Sequence, residues 1–202
     1  MCIRDSDKAG VNLYVNYPRR ADPGLIEVKK RIKDNKIFSP IKGVVWYSKG
    51  FFNNGSHFFN LLEFWLGSFI KFKLINMGCL WDKVDPEPDV EVEFEQGTVT
   101  FLSAWDKAFS HYSLELLSQS GRLRYEQGSA PIEWQSVMHD PYFSGYKVLS
   151  TPPEMIATEM NRYQWNVFEQ LAGIFLGNDT TLCTGRQALA TLDSMHKIIN
   201  ER

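Results

Sequence analysis

Gly50-Phe51-Phe52-Asn53-Asn54-Gly55-Ser56-His57 runs without a break into Phe58-Phe59-Asn60-Leu61-Leu62-Glu63-Phe64-Trp65-Leu66-Gly67. The first half reads as a loop, because Gly and Asn tolerate the backbone angles that turns require. The second half reads as a buried helix. Phe58, Leu61, Leu62 and Trp65 recur at helical spacing and Gly67 closes the run. His57 therefore falls where a loop becomes a helix, flanked by amides. Imidazole is the side chain suited to moving a proton near neutral pH. A helix N-terminus disfavours the imidazolium and keeps the ring neutral. Taken alone, such a histidine is more often a helix-start residue making a local bond.

On the N-terminal side, residues 41–47 read as a strand. Asp22-Pro23 opens a helix, with Asp at the N-cap and Pro in the first turn. Its Leu25, Val28 and Ile32 face a core, and Lys29, Lys30, Arg31 and Lys33 read as a solvated face. Val11-Asn12-Leu13-Tyr14-Val15-Asn16-Tyr17 alternates as a strand, and Lys8-Ala9-Gly10 before it reads as a helix's last turn. Met1 to Ser6 shows no periodicity and reads as non-native, so the chain is expected to be cut on this side.

On the C-terminal side, strands dominate from Phe69 to about Trp134. Val90 to Phe94 alternates strictly, Gln96-Gly97 turns into Val99 to Trp105, and Ser118-Gln119-Ser120-Gly121 joins Tyr112 to Leu117 with Leu123 to Tyr125. Turns this short join antiparallel neighbours. The expected fold is α+β, a largely antiparallel open sheet with helices on one face. Trp105 and Trp134 are expected on the sheet face, where a second subunit would cover them. His139 to Pro153 reads as a loop, Glu154 to Leu176 as one long helix, and Thr184-Gly185-Arg186-Gln187 as the capping box of a last helix.

The 202 residues suit one domain or slightly more, and 44% hydrophobic with 23% charged is an ordinary globular balance. A net charge of -2 points away from nucleic acid, and no apolar run is long enough for a membrane span. Cys2, Cys79 and Cys183 are far apart and odd in number, so neither a disulfide framework nor a metal site is expected, and a reducing cytoplasm is the simplest compartment. Asp82, Asp85, Glu87 and Asp89 would interest a hydrolase, but they sit in a Pro-containing turn and read as solvated. His111, His139 and His196 read as structural or surface residues.

These segments, in this order, resemble the C-terminal portion of the Gfo/Idh/MocA family of NAD(P)-dependent oxidoreductases. Val15-Asn16-Tyr17-Pro18-Arg19-Arg20 is similar to the strand and Arg-containing turn that leave the family's nucleotide-binding domain. Gly55-Ser56-His57, Leu61-Leu62 and Leu66-Gly67 resemble its G-x-H-x-x-D-l-l-x-x-l-x-G helix, and Thr184 to Leu189 its closing helix. The resemblance implies that 1–20 is a remnant of a Rossmann domain and 21–202 an α/β substrate-binding and oligomerisation domain. It implies NAD or NADP in a full-length protein, and little cofactor binding here, since neither G-x-G-x-x-G nor Glu-Lys-Pro is present. It implies His57 as general acid/base, oriented by Asn53. Arg19, Asn54, Asn60 and Tyr142 become substrate contacts and Arg20 a cofactor contact. The substrate would be a sugar or nucleotide sugar, and the sheet face would build a homo-oligomer. The family often has Asp at the positions of Asn53 and Asn60; an amide can orient an imidazole but brings no charge. The amides favour a nucleotide-sugar or polysaccharide-precursor substrate. The competing reading is a non-catalytic sheet domain that binds a ligand or a partner.

Overall fold

The computed structural model describes residues 3–104, 108–126 and 131–201, so the expectation for Trp105 lies outside the described residues. Helix α1 (Ile3–Ala9) ends at Gly10, whose φ of +64° suits glycine at a helix C-terminus. Residues 3–6, set apart in the sequence, are thus part of that helix, with Ser6 buried against it. Only Tyr14–Val15 of the alternating run forms a strand, β1. It pairs with β13 (Cys183–Thr184), two residues long, and Val11 and Val15 stay exposed.

A 3-10 turn (Pro18–Ala21) leads into α2 (Pro23–Lys33). Asp22 caps α2 as expected: its Oδ1 accepts from the N–H groups of Gly24 at 2.9 Å and Leu25 at 3.1 Å. Strand β2 (Ile41–Tyr47) follows, then a π-helical turn (Gly50–Gly55) continuous with α3 (Ser56–Leu66). The expected loop before His57 is therefore helical. The remaining strands are β3 (Phe69–Asn76), β4 (Leu80–Trp81), β5 (Asp85–Pro86), β6 (Asp89–Phe94), β7 (Gly97–Ser103), β8 (Ser113–Ser118), β9 (Gly121–Glu126), β10 (Ile132–His139), β11 (Lys147–Leu149) and β12 (Glu154–Ile156). Helices α4 (Tyr163–Phe175) and α5 (Gly185–Asn200) complete the chain. The Thr184–Gln187 capping box is present in both halves.

The main sheet has the order β11-β10-β9-β8-β2-β7-β6-β3, with β12 also on β10. All its pairs are antiparallel except β2 with β7. Alternation along β2 buries Ile41, Val45 and Tyr47 and turns Lys42 and Trp46 outward. On the inner face, Leu25 and Val28 of α2, Phe58, Phe59, Leu61, Leu62 and Trp65 of α3, and Met195 and Ile198 of α5 close over Val92, Phe94, Val99, Phe101, Leu114 and Leu123. On the outer face, Arg124 stands between Glu115 at 3.6 Å and Glu133 at 3.5 Å, a ladder of opposite charges across three strands.

Four expectations change. Asp85 and Glu87 are buried, not solvated. Both Asp85 carboxylate oxygens accept from the π-turn, from Phe52 N–H at 3.0 Å and Asn53 N–H at 2.9 Å, and Glu87 accepts from Gly50 N–H at 3.0 Å. Lys29 is drawn inward, donating to the carbonyl of Phe64 with its ammonium 4.3 Å from that ring's centre. Trp134 faces the core against α2 rather than a partner. The long helix expected from Glu154 begins only at Tyr163. Ile156 pairs with Ile132 as a strand instead, and Arg31 grips the Glu154 carboxylate with two nitrogens at 2.9 and 2.7 Å. Tertiary pairing overrides helical spacing there.

Removing the Asp85 carboxylate leaves two part-buried N–H groups without acceptors. Asp85→Ala should lower the unfolding free energy by about 2 kcal/mol. A urea midpoint within experimental error of wild type would mean that the cap is wet.

Candidate functional site

His57 lies on the first turn of α3, and the π-turn before it sets its position. Lys49 at φ +66° and Gly50 at φ +87° reverse the chain as it leaves β2. A Cβ on Gly50 would stand 2.1 Å from Asp85 Oδ2, so the cap and the glycine require each other. Asn53 and Asn54 brace this turn: Asn53 Nδ2 donates to Lys49 O at 3.0 Å and Asn54 Nδ2 to Ser48 O at 2.9 Å. Ser56 Oγ closes it by donating to Asn53 O at 2.7 Å.

The His57 ring is half-buried and meets the Tyr17 ring edge-on, 5.4 Å between centres at 77°. Its Nδ1 is sealed from solvent and has no hydrogen-bond partner. Burial, and secondarily the Arg19 guanidinium, hold the imidazole pKa down at about 4. The ring is therefore neutral at physiological pH, for reasons stronger than the helix end alone.

Arg19 arrives on the 3-10 turn two residues after Tyr17. Its guanidinium carbon lies 4.8 Å from the centre of the Phe58 ring and 5.8 Å from that of Tyr112. It also hydrogen-bonds Tyr125, and its Nε is buried without a partner. Tyr17, Arg19, His57, Phe58 and Tyr112 thus form one constellation at the end of the sheet where β2 finishes.

Arg20 and Asn60 point elsewhere. Arg20 is buried, 4.7 Å over the Phe64 ring and close to the Cys183 thiol. Asn60 donates through Nδ2 to Thr191 Oγ1 at 3.0 Å and to Cys183 Sγ at 3.4 Å. The Thr191 hydroxyl in turn donates to Glu63, whose carboxyl burial pushes up to about 7. These groups tie α3 to α5 and β13. Sequence reasoning did not assemble this cluster, although Asn60 and Glu63 three residues apart on an apolar helix were its visible sign.

Tyr142 lies away from His57. Register aligns the end of β2 with the starts of β8 and β10, through the pairs Trp46–Ser113 and Glu133–Arg124. Tyr142 sits in the β10–β11 hairpin at the other end of the sheet, about 20 Å of strand away, and is 87% exposed. His111 hydrogen-bonds Ser113 Oγ at 3.2 Å, and His196 packs tilted against Phe52, 4.7 Å between ring centres. His139 ends β10 rather than lying in a loop.

A nicotinamide dinucleotide needs free N–H groups at a strand–turn–helix junction to cradle its phosphates. The β2–π-turn–α3 junction has that shape, but Asp85 and Glu87 already occupy the N–H groups of Gly50, Phe52 and Asn53. A phosphate there would face two carboxylates, so this junction does not fit the cofactor. Among the described residues no group of three His, Cys, Asp or Glu side chains could hold a metal, and no helix is long and apolar enough to cross a membrane.

No family model matches the sequence, and no curated protein matches it. Solved structures share its fold. The aldose-aldose oxidoreductase of Caulobacter crescentus, complexed with glycerol, aligns with a TM-score of 0.72 at 13% identity over 98% of this chain and 65% of its own. The WlbA dehydrogenase of Bordetella pertussis, in complex with NADH and UDP-GlcNAcA, gives 0.69 at 14% identity over 98% and 65%. An oxidoreductase from Agrobacterium radiobacter with NAD+, L-tartaric acid and magnesium gives 0.65 at 15% over 99% and 66%. The chain thus spans just under two thirds of the length of each and has the fold of that part of them.

His57 and Glu63 act on stability with opposite signs. Below the ordinary histidine value of 6.5, the unfolded chain takes up a proton that folded His57 refuses until about pH 4, so its contribution is lost as pH falls through that window. Glu63, raised from 4.5 to about 7, keeps its proton when folded, so its contribution is full below 4.5 and lost as pH rises through 7. His57→Gln should therefore gain on wild type by about 3 kcal/mol between pH 6.5 and 4, measured by urea unfolding across that range. A pH-independent difference would place the imidazole in water.

Proposed function

We propose that this chain is the substrate-holding portion of an NAD(P)-dependent oxidoreductase acting on a hydroxyl or carbonyl of a sugar or nucleotide sugar. His57 is the group that takes the hydroxyl proton or returns it. The observation that carries this reading is a neutral, half-buried imidazole beside a guanidinium, on a fold shared with sugar oxidoreductases. A nicotinamide would supply the hydride chemistry, held elsewhere than at the β2–π-turn–α3 junction.

With Nδ1 sealed, a substrate hydroxyl meets the ring from its Nε2 side. Arg19 weakens the imidazole as a base, but the same charge stabilises the oxyanion left when the hydroxyl ionises. The two effects offset each other, so proton transfer is not forfeited by the low pKa. Asn53 and Asn54 act through the turn that aims His57, and Asn53, on the exposed side of that turn, is also within this reading a substrate contact. Arg20 and Asn60 serve by fixing α3 one turn beyond His57. A homo-oligomer built on the outer sheet face would cover Trp46 and Leu117, 42% and 48% exposed, and the charge ladder beside them.

Two measurements test this. In the enzyme containing this chain, His57→Ala should cut kcat by about 10² to 10⁴ with folding intact; near-normal turnover would refute the assignment. The 202-residue chain by itself should show no saturable NAD(H) or NADP(H) binding by calorimetry. A micromolar Kd would contradict the location of the cofactor.

A further inference from the structure

Taking the His57 constellation as a sugar site, we infer that its ligand carries an anionic group, carboxylate or phosphate, and that Arg19 receives it. Arg19, like Arg4 and Arg20, joins no ion pair among the described residues, whereas Arg31, Arg122, Arg124, Arg162 and Arg186 each do; of the three it is Arg19 whose charge acts on His57. It is half-buried, set against the adjoining rings of Phe58 and Tyr112, with the Tyr125 hydroxyl beside it and its Nε buried without a partner.

The neighbouring carboxylates are committed elsewhere. Asp22 accepts from Gly24, Leu25 and Glu159 N–H groups, Glu63 from Thr191, and Asp85 and Glu87 from the π-turn. On the His57 segment itself, positions 53 and 60 are amides, Asn53 and Asn60, and bring no negative charge. The constellation is thus a guanidinium and a neutral ring with no described anion facing them. Withdrawing a guanidinium from water without a counter-charge is costly, and an anion completing its planar fork recovers that cost. A neutral sugar hydroxyl recovers much less. An anion seated beside both groups would also relieve the repulsion between Arg19 and the imidazolium, so occupancy must raise the basicity of His57.

The test is a calorimetric titration of the chain with D-glucuronate, D-glucose 1-phosphate and D-glucose, with the His57 ring followed by NMR against pH. At least one anion should bind about tenfold or more tightly than glucose and shift the His57 titration upward. Arg19→Met should erase the preference, while Arg124→Met, on the outer sheet face, should keep it. A preference for glucuronate alone identifies a sugar carboxylate, and one for the phosphate alone a sugar phosphate or nucleotide. If Arg19→Met does not fold, Arg19→Lys decides: charge without the fork should weaken anion binding severalfold and leave glucose unchanged. Equal affinities, no binding of either anion, or a preference that survives the loss of Arg19 overturns the inference. None of these outcomes bears on proton transfer by His57, which is read from turnover, so the two readings fail separately.

Discussion

Three backbone N–H groups at the start of the π-turn, accepted by Asp85 and Glu87, hold the rest of the molecule in place. A helix that begins directly behind a strand leaves its first donors unsatisfied, and burial makes that expensive. Here the acceptors come from β5 and the residue after it, a segment about thirty residues downstream. The cap fixes where α3 starts, and α3 carries His57 toward the end of β2 while burying Phe58, Phe59, Leu61, Leu62 and Trp65. Stability and site geometry therefore rest on the same contacts. The carboxylates also complement the positive end of the helix, which leaves burial and Arg19 to keep His57 neutral.

Two polar clusters follow one another along helix α3. At its start His57 meets Tyr17 and Arg19. One turn on, Asn60 and Glu63 are locked to Thr191, Cys183 and Arg20. Neighbouring arginines on one 3-10 turn thus do different work: Arg19 stays with the imidazole, and Arg20 is sunk beside Cys183 and Phe64. Phe64 takes the guanidinium of Arg20 and the ammonium of Lys29, which is how two cations are tolerated near the core without a close carboxylate on each.

Much of this was legible in the residues. The apolar spacing of α2 and α3, the Asp22 cap, the alternation of β6 and the Thr184–Gln187 box are local signals, and local signals survive folding. What was not legible depended on distant partners. Asp85 and Glu87 read as solvated because their acceptor role exists only once Gly50 is brought alongside. Ile156 carried helical spacing yet became a strand because the edge of β10 offers a partner and Arg31 pins Glu154. Tyr142 was expected as a substrate contact because sequence distance says nothing about which end of a sheet a hairpin occupies. Arg19 and Arg20 were indistinguishable until the turn pointed them apart.

The occupied cap also bears on chemistry. A strand, a glycine turn and a helix are the ingredients with which doubly wound folds bind phosphate, and β2, Gly50 and α3 supply them in that order. The difference is charge. Donors that would greet a pyrophosphate are already taken by carboxylates from the same chain, so the junction repels the ligand its shape suggests. The positive charge left facing His57 comes instead from Arg19, one face of whose guanidinium is sheltered by Phe58. The helix end is thus closed to an anion, and the proposed place for one is the constellation around the imidazole. In the proposed function the segment holds substrate, with its glycine turn serving to aim a histidine.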